Sequence, residues 1–352
     1  MEHNSTQATI GCWIGSYTSP APHVSNARGK GIYRGCLNLE TGVLDIEVAS
    51  TQTRDPSYLA RKGNRLAAVS EMPDEEGELH IYRIDEENRL HLEASLKTGA
   101  PHSCHLQFVG DAICIANYFG DRLQVFRKKG GQWKRSESPA YVGSGPNMHR
   151  QEAPHLHHIL VLEPLGLLAV SDLGSDRIWL HGCKDGVLST DPCGSIAVRP
   201  GSGPRHLAYD ATRQCLYVLG ELSGSILAYK YDDTKGWTLL AEYTLPIAET
   251  AAPSSAAIHI HPNGRFLYVS ERATNRLFQY NLLPGGYLDL LAQIPTGGGT
   301  PRDFGIDPTG TWIVALNQDS HTITTFRHSE TTATDQRPVM TASCGSPVCI
   351  IF

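Results

Sequence analysis

The run Gly203-Pro-Arg-His206 sets a guanidinium and an imidazole directly behind a proline, and Glu221 follows just past the apolar run Cys215-Leu-Tyr-Val-Leu219. A guanidinium is a fixed fork of donors suited to a carboxylate, a phosphate or a developing oxyanion. An imidazole with an ordinary pKa of about 6.5 suits proton transfer near neutrality. A carboxylate at the end of an apolar run is costly unless it is paired or reaches water. The same residue types recur in Pro154-His-Leu-His-His158, with His155 and His157, in Glu271-Arg272, and in Pro301-Arg302-Asp303. They recur again in the polar run His149-Arg-Gln-Glu152, with Arg150, and Asn117-Tyr118 adds an amide and a phenol at the end of another apolar run.

Each of these groups also has a purely structural use. Arg205 can form a buried ion pair with Glu221 or Asp172, and Arg302 has Asp303 beside it. His157 can bond a neighbouring backbone, and Asp172 and Asp176 suit turn caps. More broadly, Arg205, Arg272 and Arg302 can find counter-charges in Asp172, Glu221 and Glu271. Adjacent histidines on a strand point to opposite faces, so Pro154-His-Leu-His-His158 would need a carboxylate from elsewhere to hold a metal. No metal and no cofactor is expected. The chain has no G-x-S-x-G elbow, phosphate-binding Walker loop or dinucleotide fingerprint.

Groups this far apart in sequence act together only if the fold gathers them, and the chain's punctuation says how. Prolines open extended segments at Pro56, Pro101, Pro154, Pro204, Pro253, Pro301 and Pro347, 45 to 53 residues apart. A second marker runs in phase, a ring residue closing a β-like run before a polar turn: Tyr33, Tyr82, Phe126, His181, Tyr229, Tyr280 and Phe326. Between the two lies a short apolar run, as in Leu66-Ala-Ala-Val69 or Ile313-Val-Ala-Leu316. About four short strands in 45 to 50 residues is the period of a propeller blade. The prediction is an all-β, seven-bladed β-propeller with four-stranded blades, residues 1–352 forming one domain. Before Pro56 the chain holds only the last three strands of a unit, and after Pro347 only a first strand. Pairing the carboxyl-terminal strand with the amino-terminal strands completes a mixed blade and closes the ring. Segments 19–30 and 142–153 read as loops, the second a candidate lid because it leads into the histidine-rich strand.

Inner strands line a propeller's channel, so the residues after the seven prolines should converge on one axis. They read Ser57-Tyr58, His102 with His105, His155 with His157 and His158, Arg205-His206, Ser254-Ser255 with His259, Arg302-Asp303 and Val348, and the ends of the second strands add Glu71, Asn117-Tyr118, Asp172, Glu221, Glu271-Arg272 and Asn317-Gln318. From these and the loop 142–153, His155, His206, Arg302, Arg150 and Asn117 are candidate substrate-binding residues.

Composition bounds the partners. The net charge is -6, and no basic run of five exists, so nucleic acid is not an expected partner. No stretch approaches the apolar length of a membrane span, and residues 1–9 lack the apolar core of a secretory signal. Nine cysteines without a CxxC pair read as free thiols in a reducing compartment, hence a cytoplasmic protein. Oligomeric state is not legible.

The segments Pro154-His-Leu-His-His158, Asp172-Leu-Gly-Ser-Asp176, Gly203-Pro-Arg-His206 with Glu221-Leu222, Ile258-His-Ile-His-Pro-Asn-Gly-Arg265 and Gly299-Thr-Pro-Arg-Asp-Phe304 resemble the lactonase family of seven-bladed propellers. That family includes propeller-type 6-phosphogluconolactonases and 3-carboxy-cis,cis-muconate lactonising enzymes. The resemblance spans nearly the whole chain. It implies a cofactor-free, metal-independent hydrolase of a sugar-acid lactone, with a small anionic lactone or polycarboxylate as substrate. For the lactonising branch it implies a histidine, two arginines and a glutamate as the reacting set, which map by motif to His157, Arg205, Glu221 and Arg272, the candidate catalytic residues. In that scheme His157 and Glu221 form an acid-base pair; the His155 and His157 registers both fit. The alternatives are a carboxymuconate lactonising cycloisomerase and a non-catalytic interaction scaffold; the missing WD dipeptide and the central gathering of polar groups favour an enzyme.

Overall fold

Blade 5 shows how the sequence pattern becomes structure. Its strands are Pro204–Asp210, Cys215–Gly220, Ser225–Asp232 and Gly236–Thr244, an antiparallel sheet in that order. Pro204 opens the innermost strand, where its missing N–H costs least. The second strand is apolar throughout and buried throughout, because both of its faces are covered. Cys215, Tyr217 and Leu219 pack toward blade 6, and Leu216 and Val218 toward blade 4. The outer strand is half-exposed.

The computed structural model describes residues 8–73, 77–248, 250–331 and 337–352; residues 1–7, within the segment read as lacking a leader, lie outside them. Seven such four-stranded sheets make a seven-bladed propeller. From blade 1 to blade 7 the inner strands are Pro347–Ile351, Pro56–Lys62, Ser103–Val109, Leu156–Leu162, Pro204–Asp210, Ser255–Ile260 and Pro301–Ile306. Seven apolar clusters fill the seven gaps between neighbouring blades. The seven ring residues of the second marker all sit on third strands, each 6% exposed or less. Burying a phenylalanine such as Phe126 or Phe326 contributes about 1.5–3 kcal/mol.

Closure is as expected. Pro347–Ile351 pairs antiparallel with Thr9–Ser16, and Ile32–Asn38 and Leu44–Ser50 complete blade 1. Cys349 joins the cluster against blade 2 and Ile350 the cluster against blade 7, so the last strand seals two gaps.

The proline marker proves two markers slightly out of register. Pro56, Pro204, Pro301 and Pro347 are first strand residues, whereas Pro101, Pro154 and Pro253 lie two residues ahead of theirs. Just inside every inner strand the ladder slips, so that one or two residues leave the pairing. Bulges of this kind re-aim a side chain. Here they turn Ser57, Cys104, His157, Arg205, Ala256, Arg302 and Val348 away from the sheet ladder.

Candidate active site

A second repeated device sets the opposite half of the site. In all seven blades the residue following the second strand donates its N–H to the carbonyl just before the inner strand, at 2.8–3.1 Å. The residues so fixed are Tyr17, Glu71, Tyr118, Leu173, Glu221, Arg272 and Gln318. The residue one earlier points the other way, as strand alternation requires. Thus Asp172 accepts the amides of His155, Gly174 and Ser175, and Glu271 those of Ser254 and Thr274. Both carboxylates cap turns and are unavailable as counter-ions for Arg205 or Arg302. Asp176 also caps, accepting from the amides of Gly201 and Gly203.

The bulge residues and the strand-exit residues meet in a cavity of about 640 Å³ at one mouth of the channel, a size suited to a small ligand. Its walls carry Glu71, Arg150, His157, Glu221, Arg272 and Arg302, with His23, His102, Tyr118 and Phe119. Glu221 is the hub. Its Oε1 takes Arg150 Nη2 at 2.7 Å, and its Oε2 lies 3.1 Å from both Arg205 Nε and Arg272 Nη2. Arg150 reaches it from the loop 142–153 and also donates to Tyr118 Oη at 3.0 and 3.2 Å. That loop is held down by Gln151, wholly buried, whose amide donates to Leu173 O at 2.9 Å. Arg302 lies 5.2 Å from the centre of the Tyr17 ring.

Burial raises the Glu221 pKa, but the guanidiniums of Arg272, Arg205 and Arg150 outweigh it and hold the carboxyl far below its ordinary range. Burial, then Arg272 and Arg302, pull Arg205 down to about 10, so it remains charged at neutral pH. Burial and the neighbouring Arg205 hold His157 well below 6.5, a neutral imidazole. Cys104 is on the wall, but burial pushes its thiol far up and it donates to Leu156 O at 3.4 Å, so it is no thiolate nucleophile.

The structure therefore gathers His157, Arg150, Glu221, Arg272 and Arg302 around one cavity, with Arg205 behind Glu221 and 3% exposed. His157 and Glu221 stand in this one site without touching: among the described residues Glu221 contacts guanidiniums only, and His157 Nδ1 has no partner. The acid-base pair expected of His157 and Glu221 is thus not joined by a hydrogen bond or an ion pair. Of the two histidine registers, His157 occupies the bulge and lines the cavity. His155 lies behind it, stacked 4.6 Å from the Tyr118 ring with Nδ1 on Tyr118 O. Asn117 is turned into the blade, accepting from Ser103 Oγ at 2.7 Å. His206 belongs to a group of buried imidazoles deeper in the channel, 4.6 Å from His158, which is in turn 4.1 Å from His105. Sequence reasoning passed over His23, Glu71 and His102 as site residues. The signal for Glu71 was present, since it holds in blade 2 the position of Glu221 in blade 5.

The family model for the seven-bladed β-propeller lactonases matches residues 11–352. The chain is 30% identical to the 6-phosphogluconolactonase of Bacillus subtilis over 352 residues, 97% of each protein. Among solved structures it is similar to a putative 6-phosphogluconolactonase from Bacteroides fragilis, with 26% identity, 99% of each chain covered and a TM-score of 0.87. The periplasmic gluconolactonase of Pseudomonas aeruginosa shares the fold, with a TM-score of 0.86 at 23% identity over 98% of this chain and 99% of that one. No helix among the described residues is long and apolar enough to cross a membrane. With its seven closed blades and its arginine-rich axial cavity, this chain belongs to the lactonase family of seven-bladed β-propellers.

Proposed function

We propose that the protein hydrolyses a sugar-acid lactone of the 6-phosphogluconolactone type, without a metal or cofactor. One observation carries the reading: three arginines line the cavity and a fourth stands behind it, against two carboxylates, so the site favours an anion. A lactone bearing a phosphate or carboxylate needs that charge at two places, its anionic tail and the oxyanion that forms at the carbonyl. Arg150, 42% exposed, and Arg272 beside it on Glu221 suit the tail; Arg302, a bulge residue of the inner strand, suits the oxyanion. His157, neutral and lining the cavity, takes the proton from the attacking water. Glu221, held ionised by three guanidiniums, transfers no proton; it spaces and orients their forks. Arg205 acts through Glu221. The loop 142–153 acts as a lid that carries Arg150 onto the bound ligand. The nine unpaired cysteines support a reducing, cytoplasmic location.

The test is proton release from 6-phosphogluconolactone and from unphosphorylated gluconolactone, each against its spontaneous rate, with and without a chelator. Acceleration insensitive to chelator, and greater for the phosphorylated substrate, is the expected result. No acceleration of either lactone, or turnover of carboxymuconate to its lactone instead, refutes the proposal.

A further inference from the structure

Across the cavity from Glu221 stands a second buried carboxylate. Glu71 is three blades away in a ring of seven, so the two acids occupy opposite walls. Their surroundings differ. Glu221 is bound by three guanidiniums, whereas Glu71 Oε2 accepts the Tyr17 hydroxyl at 2.9 Å and its Oε1 lies 3.6 Å from His102 Nδ1 and from His23 Nε2. At 3.6 Å neither contact is a hydrogen bond. Burial raises the Glu71 pKa, but His102 and Arg302 outweigh it and keep the group ionised.

The two histidines are not equivalent. His23 sits on the loop 19–30 with its side chain 32% exposed, and burial and then Arg302 pull it down to about 4, so it carries no proton at neutral pH. His102 is buried on the cavity wall, its ring centre 5.1 Å from Phe119. Its backbone is fixed on both sides, the N–H to Met72 O at 2.7 Å and the carbonyl from Tyr118 N at 2.8 Å. Its φ of +52° is matched by positive values, 39° to 60°, at Asp55, Thr300 and Ser346 in the same blade position, so the conformation belongs to the repeat. The imidazole is what blade 3 adds. The titratable or charged groups facing it are Glu71 from blade 2, His23 from blade 1, Cys104 two residues on, and Arg302 from blade 7.

Resting on the lactonase reading, we propose that His102, with Glu71 as its counter-charge and Tyr17 bracing Glu71, is the general acid that protonates the departing ring oxygen. Water adds to the lactone carbonyl and gives one proton to His157. The tetrahedral intermediate then re-forms its C=O bond as the bond from carbonyl carbon to ring oxygen breaks. The ring oxygen keeps that electron pair and takes the proton from His102. The new carboxylic acid ionises, His157 gives up its proton, and His102 regains one, so each turnover releases one proton. The arginine wall stabilises anions and offers no readily released proton, which is why the donor belongs on the facing wall.

The donor atoms of His23, Glu71 and His102 lie within 4.8 Å of one another, a spacing a divalent cation could also use. The surplus of guanidinium charge in the cavity opposes that use, and the experiment separates the two. The pH dependence of kcat and kcat/KM is measured on 6-phosphogluconolactone for the wild type, His102→Gln and Glu71→Gln, each checked for folding by circular dichroism. In H102Q, kcat should fall about 10²- to 10⁴-fold, KM should change little, and the alkaline limb of the profile should vanish. In E71Q kcat should fall by a smaller factor with KM nearly unchanged, because the imidazole loses the carboxylate beside it. Should H102Q not fold, the fall in kcat at unchanged KM is read from E71Q and Tyr17→Phe instead. An H102Q profile that keeps both limbs and is merely scaled overturns the assignment. So does zinc or another divalent ion retained stoichiometrically through dialysis and lost in E71Q. A wild type that accelerates no lactone refutes the hydrolase reading itself, whereas an active wild type with an unchanged H102Q profile refutes only the general acid.

Discussion

Replacing Glu221 by glutamine removes the counter-charge shared by three guanidiniums while keeping the side-chain volume. Two of the contacts, to Arg205 and Arg272, are buried; the Arg150 side chain is 42% exposed and adds little. Uncovering a buried charge pair costs about 3–5 kcal/mol. A chain of 352 residues has an unfolding entropy of about 740 cal/mol/K near 60 °C, so Tm should fall by about 4–7 °C. The pH dependence gives an independent check. The unfolded carboxyl ionises near 4.5, and the folded one far below it. The stability due to Glu221 is therefore complete above about pH 5 and declines as pH falls from 4.5 toward the folded value. Calorimetry of wild type and E221Q between about pH 3 and pH 7 should show a Tm gap that is constant above pH 5 and narrows in acid. Turnover should also drop about 10²- to 10³-fold as the arginine forks lose their spacing. A gap below about 1 °C, or one that does not vary with pH, refutes the account of Glu221 as the brace of a buried cation cluster.

His157→Gln should lower kcat about 10²- to 10⁴-fold with Tm nearly unchanged, because His157 Nδ1 makes no hydrogen bond to lose; steady-state kinetics and a thermal scan decide. Since burial and Arg205 hold His157 neutral, the acid limb of kcat/KM in the wild type should lie below pH 6.5, whereas a limb above that value removes His157 as the base. Arg150→Ala should raise KM for the phosphorylated lactone roughly tenfold while kcat changes less, and added salt should erase much of the difference. Deleting residues 347–352 should abolish the folded monomer on gel filtration, because the second strand of blade 1 is left as a bare edge and the gaps to blades 2 and 7 are opened.

Much of the site could be read from the chain because the fold is a repeat. The proline spacing, the buried ring residues on third strands and the split blade are local patterns. Each copy confirms the others, so fold, closure and the convergence of His157, Arg205, Glu221 and Arg272 were all legible. What failed was the facing of side chains within each pair. Glu271 and Arg272 are adjacent, yet one caps a turn and the other lines the cavity; likewise Asn117 turns into the blade while Tyr118 lines the cavity. A one-residue step reverses a strand side chain, and the bulge that fixes the phase leaves no mark in the sequence. His155 and His157 could be told apart only once Pro154 was seen to precede its strand by two residues, unlike Pro204. Glu71 went unrecognised as a site residue because its partners come from other blades, Tyr17 and His23 from the first and His102 from the third. Spacing along the chain sets which residues reach the axis, since each blade carries its own strand ends there. Which charge meets which across that axis depends on separations between blades, and only the closed ring fixes those.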